Sequence, residues 1–284
     1  MSNKDKFEDE TIIISSESNT FLNFNEIFKY RDLIYLLVSR DFKVFYKQTI
    51  LGPFWYILQP LLNSAVFTVI FGKIASMPTD EIPPFIFYMS GTILWSYFST
   101  SMISVSNVFS SNKDLFSKVY FPRLVVPISN VIINYLQFFI QFIILVLFII
   151  YFYFNGSAFT VDFKVFLIPL LLIQLSMISI GFGCLFASIT YKYKDLALLL
   201  GFGMQLWMFV SPVIYPMSMI SDKYIYFYIL NPVSSIIENF RYILFSNSDF
   251  NLALTVLSLF FSIVIFIFGL YIFNKVEKNF MDTI

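Results

Sequence analysis

Four carboxamides recur at intervals of four, three and four residues: Asn130, Asn134, Gln137 and Gln141. Helical spacing sets all four on one face. A carboxamide both donates and accepts hydrogen bonds, so such a strip can line a conduit for a hydroxyl-rich substrate. The same strip can instead join two helices by pairing amides across their contact, and the spacing leaves both readings open. Gln59 and Asn63, on either side of Pro60, form a second polar set, followed by Phe67 and Phe71. These rings either stack on the CH faces of sugars along a path or face lipid and other helices. Catalytic equipment is missing. The chain has no His, the commonest general base and metal ligand. Its one cysteine, Cys184, falls in an apolar stretch, so neither an internal disulfide nor a cysteine metal site is available. Gly72-Lys73 is followed by Ile74 and lacks the upstream glycine of a phosphate loop, so ATP is not bound in that way. Asp80, Glu81, Asp114 and Asp195 fall in short loops and are taken as solvated or capping groups.

The elements that must position these residues follow from composition. Of 284 residues 58% are hydrophobic and 21% aromatic, with 38 Phe and only 13% charged. Soluble domains are about 45–50% apolar, so an all-α polytopic membrane protein is expected. Acidic and basic residues balance at 18 each, which leaves no electrostatic footprint for nucleic acid. Six apolar stretches, near 55–76, 85–108, 125–154, 164–190, 196–215 and 251–273, are each about the 20 residues a membrane span needs. None carries Lys, Arg, Asp or Glu in its middle. Carriers driven by ions or protons use ionisable groups at that depth. A chain without them that moves a substrate needs an external energy source, most simply a partner that hydrolyses ATP. Residues 223–246 contain Pro232, Glu238 and Arg241. Each charge costs roughly 2.5–3.5 kcal/mol at a bilayer centre, so a re-entrant or interfacial helix pair is expected there instead of a seventh span.

Three units are expected: a disordered cytoplasmic tail over 1–22, an amphipathic interfacial helix over 23–50, and a six-helix membrane domain over 51–284. The first twenty residues are polar and acid-rich, so no cleavable signal peptide is expected. Asn23 and Glu26 form a capping-box-like pair at the start of the interfacial helix. Ile27, Ile34, Leu37, Val44 and Phe45 are expected on one face and Lys29, Arg40, Lys43 and Lys47 on the other. With the N-terminus inside, 14 of the 18 lysines and arginines fall in cytoplasmic segments, the positive-inside pattern. Both termini are then cytoplasmic, and 216–250 is the large outer loop. Between the second and third spans, Ser111 precedes Asp114 by three, a capping-box variant. Leu115, Phe116 and Val119 are expected to project from one side of a short helix that docks into a partner's groove; the alternative is a helix lying on headgroups. Ser179, Gly183 and Ala187 form a small-residue ridge for close helix packing. Trp55, Trp95 and Trp207 are expected near the membrane interfaces.

An ordered set of strings resembles one known family. Arg40-Asp41 leads to Tyr46-Lys47-Gln48-Thr49, Leu51-Gly52, Trp55 and Pro60-Leu61; then come Lys118-Val119-Tyr120-Phe121-Pro122-Arg123, Lys194-Asp195-Leu196, Gln205, Ser211-Pro212-Val213-Ile214-Tyr215, Asn231-Pro232 and Arg241. From about residue 30 to the C-terminus this resembles the permease subunits of ABC-type polysaccharide exporters, which handle O-antigen, capsule or teichoic acid. The resemblance implies a homodimer of twelve spans in a bacterial cytoplasmic (inner) membrane, with two separate ATPase subunits beneath. ATP and magnesium would sit on the partner and no cofactor on this chain; the substrate would be a lipid-linked polysaccharide. It implies that Lys29, Arg40, Lys43 and Lys47 belong to the interfacial helix. Ser111, Asp114, Leu115, Phe116, Lys118 and Val119 would form the coupling helix over 111–121. Tyr215, Asn231, Pro232 and Arg241 would belong to a gating segment near 216–248. Lys194-Asp195 stands where relatives often have Arg-Asp, which keeps the charge but not the fork geometry. A small-molecule exporter of the same class is an alternative, disfavoured by the basic helix and the large outer loop. A membrane-embedded glycosyl or acyl transferase would need buried acids or a His. A scaffold without transport is left open.

Overall fold

A computed structural model describes residues 24–48, 52, 54–119, 121–156, 163–193, 195–221, 223, 228, 230–246 and 251–281. The tail at 1–22, Asn23 of the capping pair, and Thr49, Leu51, Tyr120 and Lys194 of the motif strings lie outside them, as does the Phe45 side chain. Among the described residues there is no strand. The helices are α1 (Phe24–Lys29), α2 (Arg31–Gln48), α3 (Phe54–Phe67), α4 (Pro84–Ser106), α5 (Val108–Ser111), α6 (Lys113–Lys118), α7 (Val125–Phe154), α8 (Ile168–Thr190), α9 (Asp195–Val210), α10 (Pro232–Phe245) and α11 (Leu252–Met281).

Each of the six apolar stretches contains a helix, though the fifth, expected over 196–215, is helical only to Val210. Among the described residues, four helical segments have the length and apolar composition to cross a membrane: Phe54–Ile74, Val125–Phe154, Phe163–Thr190 and Leu252–Glu277. α4 is as long as α8 but carries many hydroxyl side chains. It lies at the centre of the bundle with most of its residues buried, so its composition answers to neighbouring helices and not to lipid. α9 is apolar but shorter, because Pro212 cannot continue the helical hydrogen bonding.

Local chemistry sets the ends. Pro84 opens α4 and Pro232 opens α10, where a missing N–H costs nothing. The Asn231 side chain caps α10 by accepting from Val233 N at 3.2 Å. α3 continues as a π-helix over Thr68–Ile74, a geometry frequent at functional sites.

Packing is tightest along α8. A Cβ added at Gly181 would lie 2.7 Å from the Ile265 carbonyl, and one at Gly269 would overlap the Gly181 carbonyl. α8 and α11 therefore meet backbone to backbone, as small residues permit in membranes. On another side of α8, a Cβ at Gly183 would lie 2.5 Å from Val105 of α4. Gln174 donates to Ser258 and Ser262 of α11 at 2.9 and 3.1 Å.

Trp95 is buried in α4, and Trp207 packs edge-on against Trp95, Phe98 and Phe182 with centroids 5.3–6.3 Å apart. These two tryptophans pack within the helix bundle. Trp55 stays exposed at the start of α3.

Candidate functional site

The four carboxamides of α7 do share a face, and that face is turned onto α4. Asn130 donates to the Ser104 carbonyl at 3.1 Å. Asn134 donates to Ser101 Oγ at 3.1 Å and Gln137 to Ser96 Oγ at 3.4 Å. Gln141 is buried, and its Nε2 has no hydrogen-bond partner among the described residues. Within one chain the strip thus joins α7 to α4. Gln59 and Asn63 of α3 are exposed, while Phe67 and Phe71 are half-buried and meet edge-to-face at 5.6 Å.

α2 packs on the bundle through Leu37, with Ile27, Tyr30, Leu33 and Ile34 half-buried beside it. Lys29, Arg40, Lys43 and Lys47 are exposed, and Arg40 Nε lies 2.7 Å from Asp41 Oδ1. Val44, expected with Ile27, Ile34 and Leu37 on the apolar face, is exposed together with Phe28, Tyr35, Leu36 and Phe42. The helix therefore presents apolar side chains on more than one side.

The segment after α4 differs from the single helix expected over 111–121. It breaks at Asn112 into the short α5 and α6, and α6 ends at Lys118. Ser111 is the last residue of α5 and not the cap; α6 has no side-chain cap. Phe116 does not project toward a partner. It is 3% exposed and packs against Phe109 at 6.0 Å and Phe121 at 5.8 Å. Its amphipathic position is used inside the chain because Phe109 and Phe273 stack beneath it, with centroids 4.8 Å apart. Arg123 lies over the Phe116 ring at 5.5 Å and donates to the Glu277 carbonyl at 2.8 Å. This fastens α6 to the end of α11. Ser111, Lys113, Asp114, Ser117, Lys118 and Val119 are exposed, with Leu115 half-buried.

The second cluster surrounds the end of α9. A helix end leaves carbonyls without intrahelical partners, and Pro212 adds more. Tyr215 Oη shares its proton between the carbonyls of Phe209 and Val210, both at 3.1 Å, and accepts from Tyr228 Oη. Arg241 of α10 is 1% exposed. Its Nη1 donates to the Pro212 carbonyl at 2.7 Å and its Nη2 to the Val213 carbonyl at 2.9 Å. The guanidinium sits 3.7 Å over the Phe87 ring and 3.2 Å from Glu238. Glu238 accepts from Met217 N at 3.1 Å. Burial pushes its carboxyl above the usual carboxylate range, opposed by Arg241. Asn231 donates to Ser211 Oγ at 2.9 Å. A Cβ at Gly91 would lie 2.8 Å from Arg241 Nη2, so α4 makes room for the cation by omitting a side chain. Of the sequence-derived candidates, Tyr215, Asn231, Pro232 and Arg241 meet here. Glu238 and Gly91 were missed: one stood out only as a charge to exclude from a span, the other as an unremarkable glycine.

Several helices long and apolar enough to cross a membrane, with buried polar joints between them, define a multi-pass helical membrane protein. Residues 32–245 match the ABC-2 type transporter family, and the chain belongs to that family. It is similar to the O-antigen export system permease protein RfbA of Klebsiella pneumoniae: 28% identical over 254 residues, 89% of this chain and 95% of that protein. It is also similar to the protein of the same name from Myxococcus xanthus, 31% identical over 226 residues, which covers 78% of this chain and 84% of that one.

Proposed function

We propose that this chain is the transmembrane subunit of an exporter that moves a lipid-linked polysaccharide of the O-antigen type out of the cytoplasm. The observation that carries the reading is family membership together with relatives named as O-antigen export permeases over most of the chain. The apolar span centres agree with it, because they leave no intramembrane group for ion coupling. ATP and magnesium then act on two copies of a separate ATPase, and two copies of this chain form the channel.

In this reading all six apolar helices span the inner membrane, with α4 and α9 the spans enclosed by other protein. Both termini are cytoplasmic, α2 lies at the inner interface and α10 is a re-entrant helix at the exit. The exposed face of α5 and α6, with Lys113, Asp114, Lys118 and Val119, meets the ATPase. Phe116 and Arg123 pass its displacement to α11. α3 and α9, with Gln59, Asn63 and Gln205 exposed, turn toward the channel.

The test is purification of the tagged chain from its own cell in gentle detergent, with identification of what accompanies it. A stoichiometric ATPase carrying a phosphate loop, and loss of surface glycan on deletion of this chain, are expected. A stable complex without an ATPase overturns the reading.

A further inference from the structure

α7 and α8 both pack along α4, and a hydroxyl bridge joins the three. Ser176 of α8 spends its own proton on the Leu172 carbonyl at 2.7 Å, so Tyr97 of α4 and Tyr135 of α7 both donate to it, at 2.7 and 2.5 Å. From that bridge toward the start of α8, the two helices leave a cleft of about 400 Å³ between them. Phe138, Ile168 and Leu172 are buried along its floor, and Phe139, Pro169 and Ile173 are exposed at its rim. Phe138 stacks on Phe142, which also lines it, with centroids 5.7 Å apart. At about 30 Å³ for a water-sized group, the cleft has room for on the order of ten methylenes. Water has no polar partners along such a wall, and an unfilled wall forfeits its dispersion contacts. Both walls belong to segments that can cross a membrane. The cleft also lies across α4 from α3 and α9: α3 touches α7, α7 touches α8, α8 touches α9, and α4 touches all four. A second copy seated on the α3 and α9 side therefore leaves it facing hydrocarbon. At the end nearer the start of α8 it meets charge. Val165 lines the cleft from the 3-10 turn Phe163–Leu167. Its neighbour Lys164 lies over the Tyr242 ring at 4.4 Å and donates to Tyr242 Oη at 2.9 Å. Phe163 and Phe166 beside it are exposed. An ammonium fixed among rings at the end of a span belongs at headgroup level.

We propose that the α7–α8 cleft is a binding site for one acyl chain of an anionic glycerophospholipid of the bilayer, with the Lys164 ammonium as partner of its phosphate. The chain lies on the Phe138 ring and completes the packing that α7 and α8 leave open. The anionic headgroup follows from charge complementarity, as at other basic pockets between spans. The site needs only that the chain spans a membrane and does not depend on what is exported.

Photo-crosslinking in lipid nanodiscs tests it, on the full chain purified with whatever accompanies it. The discs are phosphatidylcholine with a minor share of phosphatidylglycerol. In separate samples one lipid or the other carries a photoreactive group midway along an acyl chain, and cross-links are mapped by mass spectrometry. They are expected to concentrate on Phe139, Pro169 and Ile173 over Val256 and Phe260, which are exposed on α11. Phosphatidylglycerol should be favoured about fivefold, the affinity one lysine adds near anionic headgroups. Ile173→Trp fills the cleft from an exposed position and should abolish its cross-links while those on α11 persist. Val165→Phe fills it from the other end and carries the test if Ile173→Trp does not assemble. Lys164→Gln should keep the cross-links and remove the preference, and Lys164→Arg should keep both. Equal labelling of the cleft and α11 means contact with bulk lipid alone and overturns the site. Labelling of α11 with none in the cleft means that a second copy or another protein covers it, and overturns the site as well. A preference unchanged in Lys164→Gln overturns the headgroup assignment. These outcomes are read without ATPase or glycan, so absence of a copurifying ATPase would overturn the export reading and leave the lipid site standing.

Discussion

The seam between α8 and α11 and the helix α9 are both apolar, yet they are held in opposite ways. At the seam Gly181 and Gly269 bring two backbones into contact, and Gln174 bridges to Ser258 and Ser262. α9 is mostly exposed, is wedged by Trp207 and is gripped at one end by α10. In a bilayer, burial of apolar surface does little to drive helices together, because lipid tails are as apolar as leucine. Close approach and directional hydrogen bonds decide which contacts are permanent. Two contacts of similar hydropathy are thus held by different means, one by backbone approach and one by hydrogen bonds at a helix end.

The sharpest way to break this contrast is Gly269→Val. Its side chain has no room against the Gly181 carbonyl, and overpacking should cost on the order of 3 kcal/mol or more. Fluorescence-detected size exclusion is expected to show loss of the monodisperse peak, whereas a normal peak would mean that the seam can open. Phe116→Asp comes close behind. A charge replaces a buried ring, and a loss of about 3–5 kcal/mol is expected, read as a lowered unfolding temperature in detergent. Full stability with export alone lost would instead return Phe116 to the partner surface. Trp207→Ala should cost less, about 2 kcal/mol, because the ring is only half-buried; it is read as a smaller drop in unfolding temperature, and no drop would mean that the ring cluster does not hold α9. At the small end, Gly203→Ala fills open space and gains helix propensity. It should shift stability by no more than about 1 kcal/mol, in the stabilising direction; a large loss would show that a second copy packs closely there. Lys118→Glu lies on an exposed face and should leave stability within about 0.5 kcal/mol while lowering ATPase copurification. Unchanged copurification would remove α6 from the docking face.

The class of the protein was legible in composition, and each of the six apolar stretches contains a helix, although the fifth, expected to reach 215, ends at Val210. That information is local, because about twenty apolar residues without charge satisfy their own backbone groups in lipid by forming a helix. Periodicity also put the four α7 amides on one face. It could not say whether that face meets a channel or α4, since a hydrogen-bonding strip serves either and only the neighbour decides. The same limit explains Phe116. Its place on the apolar side of a short helix was readable, but the stacked Phe109 and Phe273 that claim that side come from residues far along the chain. The cluster around Arg241 was visible in the sequence only as a charge that excludes a span. Its meaning depends on the Pro212 break, the absent side chain at Gly91 and the partner carboxylate of Glu238, which share no spacing in the sequence. The sequence by itself therefore determined the helices, their apolar faces and the absence of intramembrane charge, because these follow from residues within a few turns. Only the tertiary structure decided which polar faces are spent inside one chain and which end of α9 is anchored, because both depend on groups that folding alone brings within hydrogen-bond reach.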